Sequence, residues 1–271
     1  RAARRALHSR ALDMLAERVE VAGSWDDLAT GSETMEELLL LEARCRHRER
    51  LQDADGAQTG PGVRALFSGP SGTGKTLAAR LLASALELDI YRLDLSTVVN
   101  KYLGETEKNL SRVFARAEEL DVILLLDEGD ALLTRRTDVH TSNDRYANLE
   151  TNYLLQRLES FEGILIVTTN AGDRIDDAFE RRMDVVVEFR APDVAARWTV
   201  WELHLPRDHA IEPEAMQEVA LRCALTGGQI RNAVVHATLL ALENGGTIDR
   251  AHLHEAVRRE YRKSGEVCPL R

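Results

Sequence analysis

The residues best suited to chemistry form one contiguous stretch, Gly69-Pro70-Ser71-Gly72-Thr73-Gly74-Lys75-Thr76. It fits the pattern GxxxxGK[ST]. Its glycines allow backbone N–H groups to close around phosphate oxygens, and a helix beginning there adds the positive end of its dipole. Lys75 is expected to reach the β- and γ-phosphates of a bound nucleotide, and Thr76 to place its hydroxyl on Mg²⁺. Further along, the apolar run Val122-Ile123-Leu124-Leu125-Leu126 ends in Asp127-Glu128. Asp127 is suited to hold Mg²⁺, directly or through water. Glu128 is suited to polarise an attacking water as general base. Alone, this second segment reads better as a buried strand with a solvated acidic end. Beside the glycine-rich loop it completes a phosphate-transfer site.

Two further segments carry weaker signals. Thr168-Thr169-Asn170 closes another apolar run, and its amide is placed to orient water near a γ-phosphate. An Asn after a strand is also an ordinary turn residue. Asp177-Ala178-Phe179-Glu180-Arg181-Arg182-Met183-Asp184 offers two adjacent guanidiniums, which neutralise charge on a transferring phosphoryl group. On spacing alone, surface ion-pair arginines are the preferred reading.

These residues need elements to position them. Short apolar runs at Ala65–Phe67, Ile90–Leu93, Val122–Leu126, Ile164–Thr168 and Val185–Phe189 read as strands. Helical patterns cover Leu77–Leu86, Glu105–Leu120 and about Asp144–Ser160. The alternation implies an α/β fold with a largely parallel sheet and helices on both faces. Upstream, Leu7, Ala11, Leu15 and Val19 recur at helical spacing, so residues 2–21 are expected to be an amphipathic helix. Thr34 followed by Glu37 reads as a capping box for a second helix. The basic stretch Arg44 to Arg50 suits the C-terminal end of that helix. From Pro192 onward only helical patterns appear, over about 193–204, 213–224, 227–243 and 249–262.

Composition sets the outer bounds. The chain has 271 residues, 44% hydrophobic and 30% charged, as in an ordinary soluble domain. A net charge of −10 argues against sequence-independent nucleic-acid binding, which needs a basic surface. No apolar run is long enough to span a membrane. Cys45, Cys223 and Cys268 are scattered, with no CxxC, which points to a reducing, cytoplasmic compartment and away from a disulfide framework or zinc site. The chain opens on Arg1 rather than Met and is expected to be cut from a longer protein.

The order GPSGTGKT, LLLDEGD, TTN, AFERRMD and then a helical tail resembles the AAA+ ATPases, in particular the AAA clade, over residues 25 to 262. The resemblance implies a P-loop fold: a parallel five-stranded sheet flanked by helices, followed by a small helical lid. It implies an N-terminal helix and linker over 1–23, a nucleotide-binding domain over 24–191, a lid over 192–262 and a tail over 263–271. Gly69 to Leu77 then contact ATP or ADP, with Lys75, Thr76, Asp127 and Glu128 as the Walker residues. Asn170 corresponds to sensor 1. Arg181 and Arg182 correspond to the arginine-finger pair, which reaches the ATP of a neighbouring subunit. The loop around Lys101, Tyr102 and Leu103 resembles pore loop 1, where an aromatic residue grips an extended polypeptide. A core or capping role is the alternative for Tyr102.

Three departures from the family pattern stand out. Gly129 follows the acidic pair, where Ala or Ile is common. The two arginines are adjacent, which leaves open which one is the finger. In Thr226-Gly227-Gly228-Gln229-Ile230-Arg231-Asn232, Arg231 either contacts phosphate as sensor 2 or faces solvent or another subunit. The wording DRYAN, GETEKNL and GGQIRN further resembles a bacterial subgroup of stand-alone AAA proteins, some associated with contractile injection systems. The resemblance implies Mg-ATP hydrolysis in a hexameric ring that remodels, unfolds or disassembles protein substrates through a central pore. The alternatives are a nucleotide-switched assembly factor that does not thread, or a DNA-associated ATPase.

Overall fold

The computed structural model describes residues 12–13, 16–54, 62–94, 106–130, 156–170, 175, 177–244 and 246–270. The expected pore-loop residues Lys101, Tyr102 and Leu103 lie outside them, as does most of the helix expected over 144–160. The chain divides into two compact units.

The first unit comprises residues 1–25, 33–69 and 75–188. It contains strand β1 (Glu17–Val19), helix α1 (Ser32–Ala54), β2 (Val63–Ser68), helix α2 (Lys75–Leu86) and β3 (Ile90–Asp94). Helix α3 (Thr106–Leu120), β4 (Ile123–Asp127), β5 (Ile164–Thr169), the short helix α4 (Asp177–Glu180) and β6 (Val185–Glu188) follow. The sheet runs β1-β3-β4-β5-β2-β6. Strands β2 to β6 pair in parallel throughout, as alternating strands and helices require. All six residues of β5 are buried, and β2 and β4 are nearly so. Central strands covered on both faces are apolar without alternation, which explains the unbroken runs in the sequence. Edge strand β6 alternates buried and exposed instead. Phe114 of α3 meets Phe161 edge to face with centroids 5.2 Å apart, within a core that also takes Leu66, Leu124 and Leu165.

The sixth strand corrects the end of the helix expected over 2–21; residues 12–13 are helical, and residues 2–11 and 14–15 lie outside the described residues. Glu17–Val19 pair antiparallel with β3, Val19 opposite Ile90. Ion pairs Arg92–Glu17 and Arg18–Asp89, each at 2.6 Å, flank the ladder. Unsatisfied backbone groups on the sheet edge override the helical spacing, because a ladder satisfies them and a detached helix does not. The capping box at Thr34 is also displaced. Helix α1 starts at Ser32, and the buried Thr34 hydroxyl donates to the carbonyl of Glu188 at 2.9 Å. The basic stretch does not end α1, which continues to Ala54. Arg44, Arg46 and Arg48 bind instead to Asp184, Glu42 and Asp121.

The second unit comprises residues 26–32, 70–74 and 189–271. Its helices are α5 (Val194–His204), α6 (Pro213–Arg222), α7 (Gly227–Glu243) and α8 (Arg250–Ser264). Each start has a local cause: Asp193 caps α5, Pro213 opens α6, and capping boxes at Thr226 and Asp249 begin α7 and α8. Trp201, Met216, Ile230, Leu253 and Val257 form its core. Gly265 closes α8 in the left-handed conformation, φ 72°. Among the described residues, no helix is long and apolar enough to cross a membrane, and the three cysteines are free.

Candidate functional site

In the first unit, β2, β4 and β5 lie side by side and end at one edge, where Gly69 follows β2, Asp127 ends β4 and Asn170 follows β5. Parallel neighbours deliver the residues that follow each strand to a common place, the usual position for ligands on open α/β sheets. Gly69 is buried, and its amide donates to the Thr169 carbonyl at 3.3 Å. Lys75 opens α2 and is buried, 7% exposed. Its ammonium donates to the Gly69 carbonyl at 2.6 Å and to Asn170 Oδ1 at 2.9 Å. Burial lowers its pKa below the usual lysine value, while the carboxylates of Asp130 and Asp127 act in the opposite sense.

The acidic pair is held from β5. Thr168 Oγ1 donates to Asp127 Oδ1 at 2.5 Å and accepts from the Glu128 amide at 3.2 Å. Thr76 Oγ1 is 3.4 Å from the same Asp127 oxygen, and Arg92 Nη1 is 3.7 Å from the other. Glu128 has φ 56°, a left-handed backbone for a non-glycine residue, and its side chain is exposed. Such a conformation costs on the order of 1 kcal/mol and persists where neighbouring bonds impose it. Here the amides of Glu128 and Gly129 are both tied to Thr168, the latter to its carbonyl at 2.9 Å. The turn therefore aims Glu128 away from the core. Gly129, the first departure from the family pattern, is buried and anchored at this turn.

Asp130 is the site residue that sequence reasoning missed. Its carboxylate accepts from the Thr169 hydroxyl, from the Asn170 amide at 2.7 Å and from Asn170 Nδ2 at 3.3 Å. The side-chain amide of Asn170 is thus gripped at both ends, by Asp130 through nitrogen and by Lys75 through oxygen. The third acid of LLLDEGD was visible in the sequence, but nothing local linked it to Asn170.

The remaining loop residues lie in the second unit. Pro70, Ser71 and Gly72 are exposed, Thr73 is buried and Gly74 half-buried. Thr73 Oγ1 donates to the Pro70 carbonyl at 2.8 Å. Gly72 and Gly74 have φ 77° and 103°, which only glycine adopts without strain. The Gly228 amide donates to the Gly72 carbonyl at 2.9 Å. A Cβ on Gly72 would lie 2.7 Å from Thr226 Oγ1, and one on Gly228 would lie 3.1 Å from Gly72 Cα. The Gly227-Gly228 pair therefore lets the start of α7 rest on the backbone of the glycine-rich loop. Arg231, one turn on, is exposed; burial, with the charge of Arg231, lowers the pKa of His204. Leu77 sits half-buried in the first turn of α2.

Arg181 and Arg182 follow α4 in the first unit. Arg181 is exposed, and Arg182 forms an ion pair with Glu159. The segment is fastened to β2 through Asp184. The Asp184 carboxylate accepts from the Arg64 amide and Arg64 Nε, both at 2.9 Å, and from Arg44 Nη2 at 2.8 Å.

Residues 65–191 match the sequence profile described as "ATPase family associated with various cellular activities (AAA)". The chain belongs to this AAA family of ATPases. It is 34% identical over 246 residues to ATP-dependent zinc metalloprotease FtsH 3 of Sphaerobacter thermophilus, covering 87% of this chain and 49% of the relative. It is 31% identical to 26S proteasome subunit RPT4 of Saccharomyces cerevisiae, over 76% of this chain and 48% of the relative. Proteasome-activating nucleotidase of Aeropyrum pernix is also 31% identical, over 68% of this chain and 47% of the relative. The chain spans about half the length of these relatives. Nucleotide binding and ATP hydrolysis are the activities that the family shares.

Proposed function

We propose that this chain is the motor module of a ring-forming, hexameric, cytoplasmic ATPase that uses Mg-ATP to remodel, unfold or disassemble protein substrates through a central pore. The supporting observation is the convergence of Lys75, Thr76, Asp127, Glu128 and Asn170 where β2, β4 and β5 end. The donor set fits the nucleotide. Gly69, Gly72 and Gly74 have the backbone freedom to turn amides toward phosphate oxygens. Asp127 and Thr76 offer hard oxygen ligands, and Mg²⁺ is commonly held by one carboxylate, one hydroxyl and substrate phosphates.

Mg-ATP supplies a phosphoric anhydride with its charge partly neutralised by the metal. The chain's own residues do the rest. Lys75 exchanges its bonds to Gly69 and Asn170 for phosphate oxygens. Thr76 and Asp127 hold the metal. Glu128 accepts a proton from the attacking water, and Asn170, steadied by Asp130, orients that water. Arg181 or Arg182 completes the site of a neighbouring subunit, where such an arginine is worth about 10³–10⁵ in rate. Tyr102, between Lys101 and Leu103, contacts the substrate polypeptide. Two of the relatives carry the proteasome or its activation in their names and the third is a protease by name, which favours a protein substrate.

The test is ATPase rate per subunit against protein concentration, for wild type and for Arg181→Ala/Arg182→Ala. The expected result is a rate that rises with concentration and is lost in the double variant. A flat rate, unchanged in the double variant, would mean that one chain holds a complete site.

A further inference from the structure

Arg92 of β3 stands between two carboxylates. Its Nη2 donates to Glu17 Oε2 of β1 at 2.6 Å, while its Nη1 lies 3.7 Å from Asp127 Oδ2 of β4. The register explains the placement. Glu17 is opposite Arg92 in the antiparallel ladder, so the two side chains share a face. Arg92 is opposite Leu125 in the parallel ladder, and Asp127 lies two residues on, again on that face. One guanidinium therefore spans from the N-terminal strand to the carboxylate assigned to Mg²⁺. At 3.7 Å it is too far from Asp127 for a hydrogen bond. The other Asp127 oxygen already accepts from Thr168.

Strand β1 belongs to a longer strap. Leu12 ahead of it is fully buried in the core of the first unit. After it, Arg80 Nε donates to the Glu20 carbonyl at 3.0 Å and Ser84 Oγ to the Gly23 carbonyl at 2.8 Å. Both donors are on α2, the helix that Lys75 and Thr76 open. Trp25 Nε1 then donates to Glu42 of α1 at 2.7 Å. The strand itself has three residues, pairs on one side only, and exposes Glu17 and Arg18. A short edge element with few buried contacts opens before the core does.

An unrestrained guanidinium and a carboxylate close to a charge-assisted bond of about 2.7–2.9 Å. Glu17 holds Arg92 short of that closure. We propose that Arg92 is a positioning residue that makes metal affinity at Asp127 depend on the docking of β1. With β1 docked, Glu17 keeps Arg92 back, and Asp127 Oδ2 is left to the metal. With β1 detached, Arg92 closes on Asp127 and competes for that oxygen. Drawing β1 off the sheet edge thereby weakens Mg-ATP binding without touching the nucleotide. The inference rests on the reading of Asp127 as a Mg²⁺ ligand.

The test compares, by calorimetry, affinity for a non-hydrolysable ATP analogue in Mg²⁺ with that in EDTA. The ratio measures the contribution of the metal. The Glu17 and Arg92 side chains are 65% and 41% exposed, so substitutions there leave the core intact. Glu17→Ala is expected to lower the ratio about 10-fold, within the range usual for coupled sites, and to leave affinity in EDTA unchanged. Glu17→Ala/Arg92→Gln is expected to restore the ratio to at least the wild-type value, which a merely structural loss at β1 would not do. Linkage is reciprocal, so amide hydrogen exchange across β1 and β3 should slow by a similar factor when the analogue binds with Mg²⁺, and not when it binds in EDTA. An unchanged ratio in Glu17→Ala, a loss that Arg92→Gln fails to restore, or exchange that ignores the metal overturns the coupling and leaves Asp127 as a metal ligand. A wild type whose affinity ignores Mg²⁺ removes the metal reading, and this inference with it.

Discussion

The Lys75 ammonium donates to Asn170 Oδ1 at 2.9 Å, while Asp130 accepts from the main-chain and side-chain nitrogens of the same asparagine. Asn170 is thus set by a cation on one side and a carboxylate on the other. Asp130→Ala should leave nucleotide affinity near wild type and lower the turnover rate on the order of 10²-fold, the cost of a misplaced orienting group. Steady-state ATPase beside nucleotide titration checks this. Unchanged turnover would reduce Asp130 to a turn residue.

Lys75→Ala should abolish nucleotide binding, whereas Glu128→Gln should bind and turn over at least ~100-fold more slowly, as for loss of a general base. Calorimetric binding and single-turnover hydrolysis separate the two. Tight binding by Lys75→Ala would remove the phosphate role of that lysine.

Gly72→Ala combines a left-handed φ with a Cβ 2.7 Å from Thr226 Oγ1. It should weaken nucleotide binding and lower the melting temperature together. Gly31→Ala, where nothing lies within 4 Å, is the control and should change neither.

Gly62 is tighter still, since an added Cβ would lie 2.2 Å from the Phe161 carbonyl oxygen. Backbone cannot yield as a side chain does. Gly62→Ala should destabilise the chain by about 1–3 kcal/mol, in the range of overpacking. Chemical denaturation reads it directly.

His254 is buried, and burial, with Arg250 and Arg258, pushes its pKa below 6.5 despite the opposing pull of Glu218. His204 is lowered too, by burial and Arg231. The folded state therefore binds protons more weakly than the unfolded chain. Stability is full above pH 6.5 and falls as pH drops through the range just below it. The melting temperature should decline on going from pH 7 toward pH 5, and His254→Gln should flatten that decline. An unchanged slope in the variant would exclude His254 as its source.

Much of this was legible in the sequence, because the governing physics is local. Gly69 to Thr76 is one continuous turn whose function depends on glycine backbones and a helix start, both written in neighbouring residues. The buried strands announced themselves as apolar runs, and the second unit's helices by their spacing. Family membership followed from the order of these pieces. Tertiary structure alone decided what depends on distant partners. It turned Glu17–Val19 into a strand, because the edge of β3 had unpaired backbone groups to satisfy. It gave Thr34 to the Glu188 carbonyl instead of to a cap. It joined Asp130 to Asn170 and Arg64 to Asp184, since parallel strands bring together residues whose separation along the chain carries no trace of their pairing. Composition and periodicity record which side chains avoid water. They do not record which polar group each one meets once water is gone.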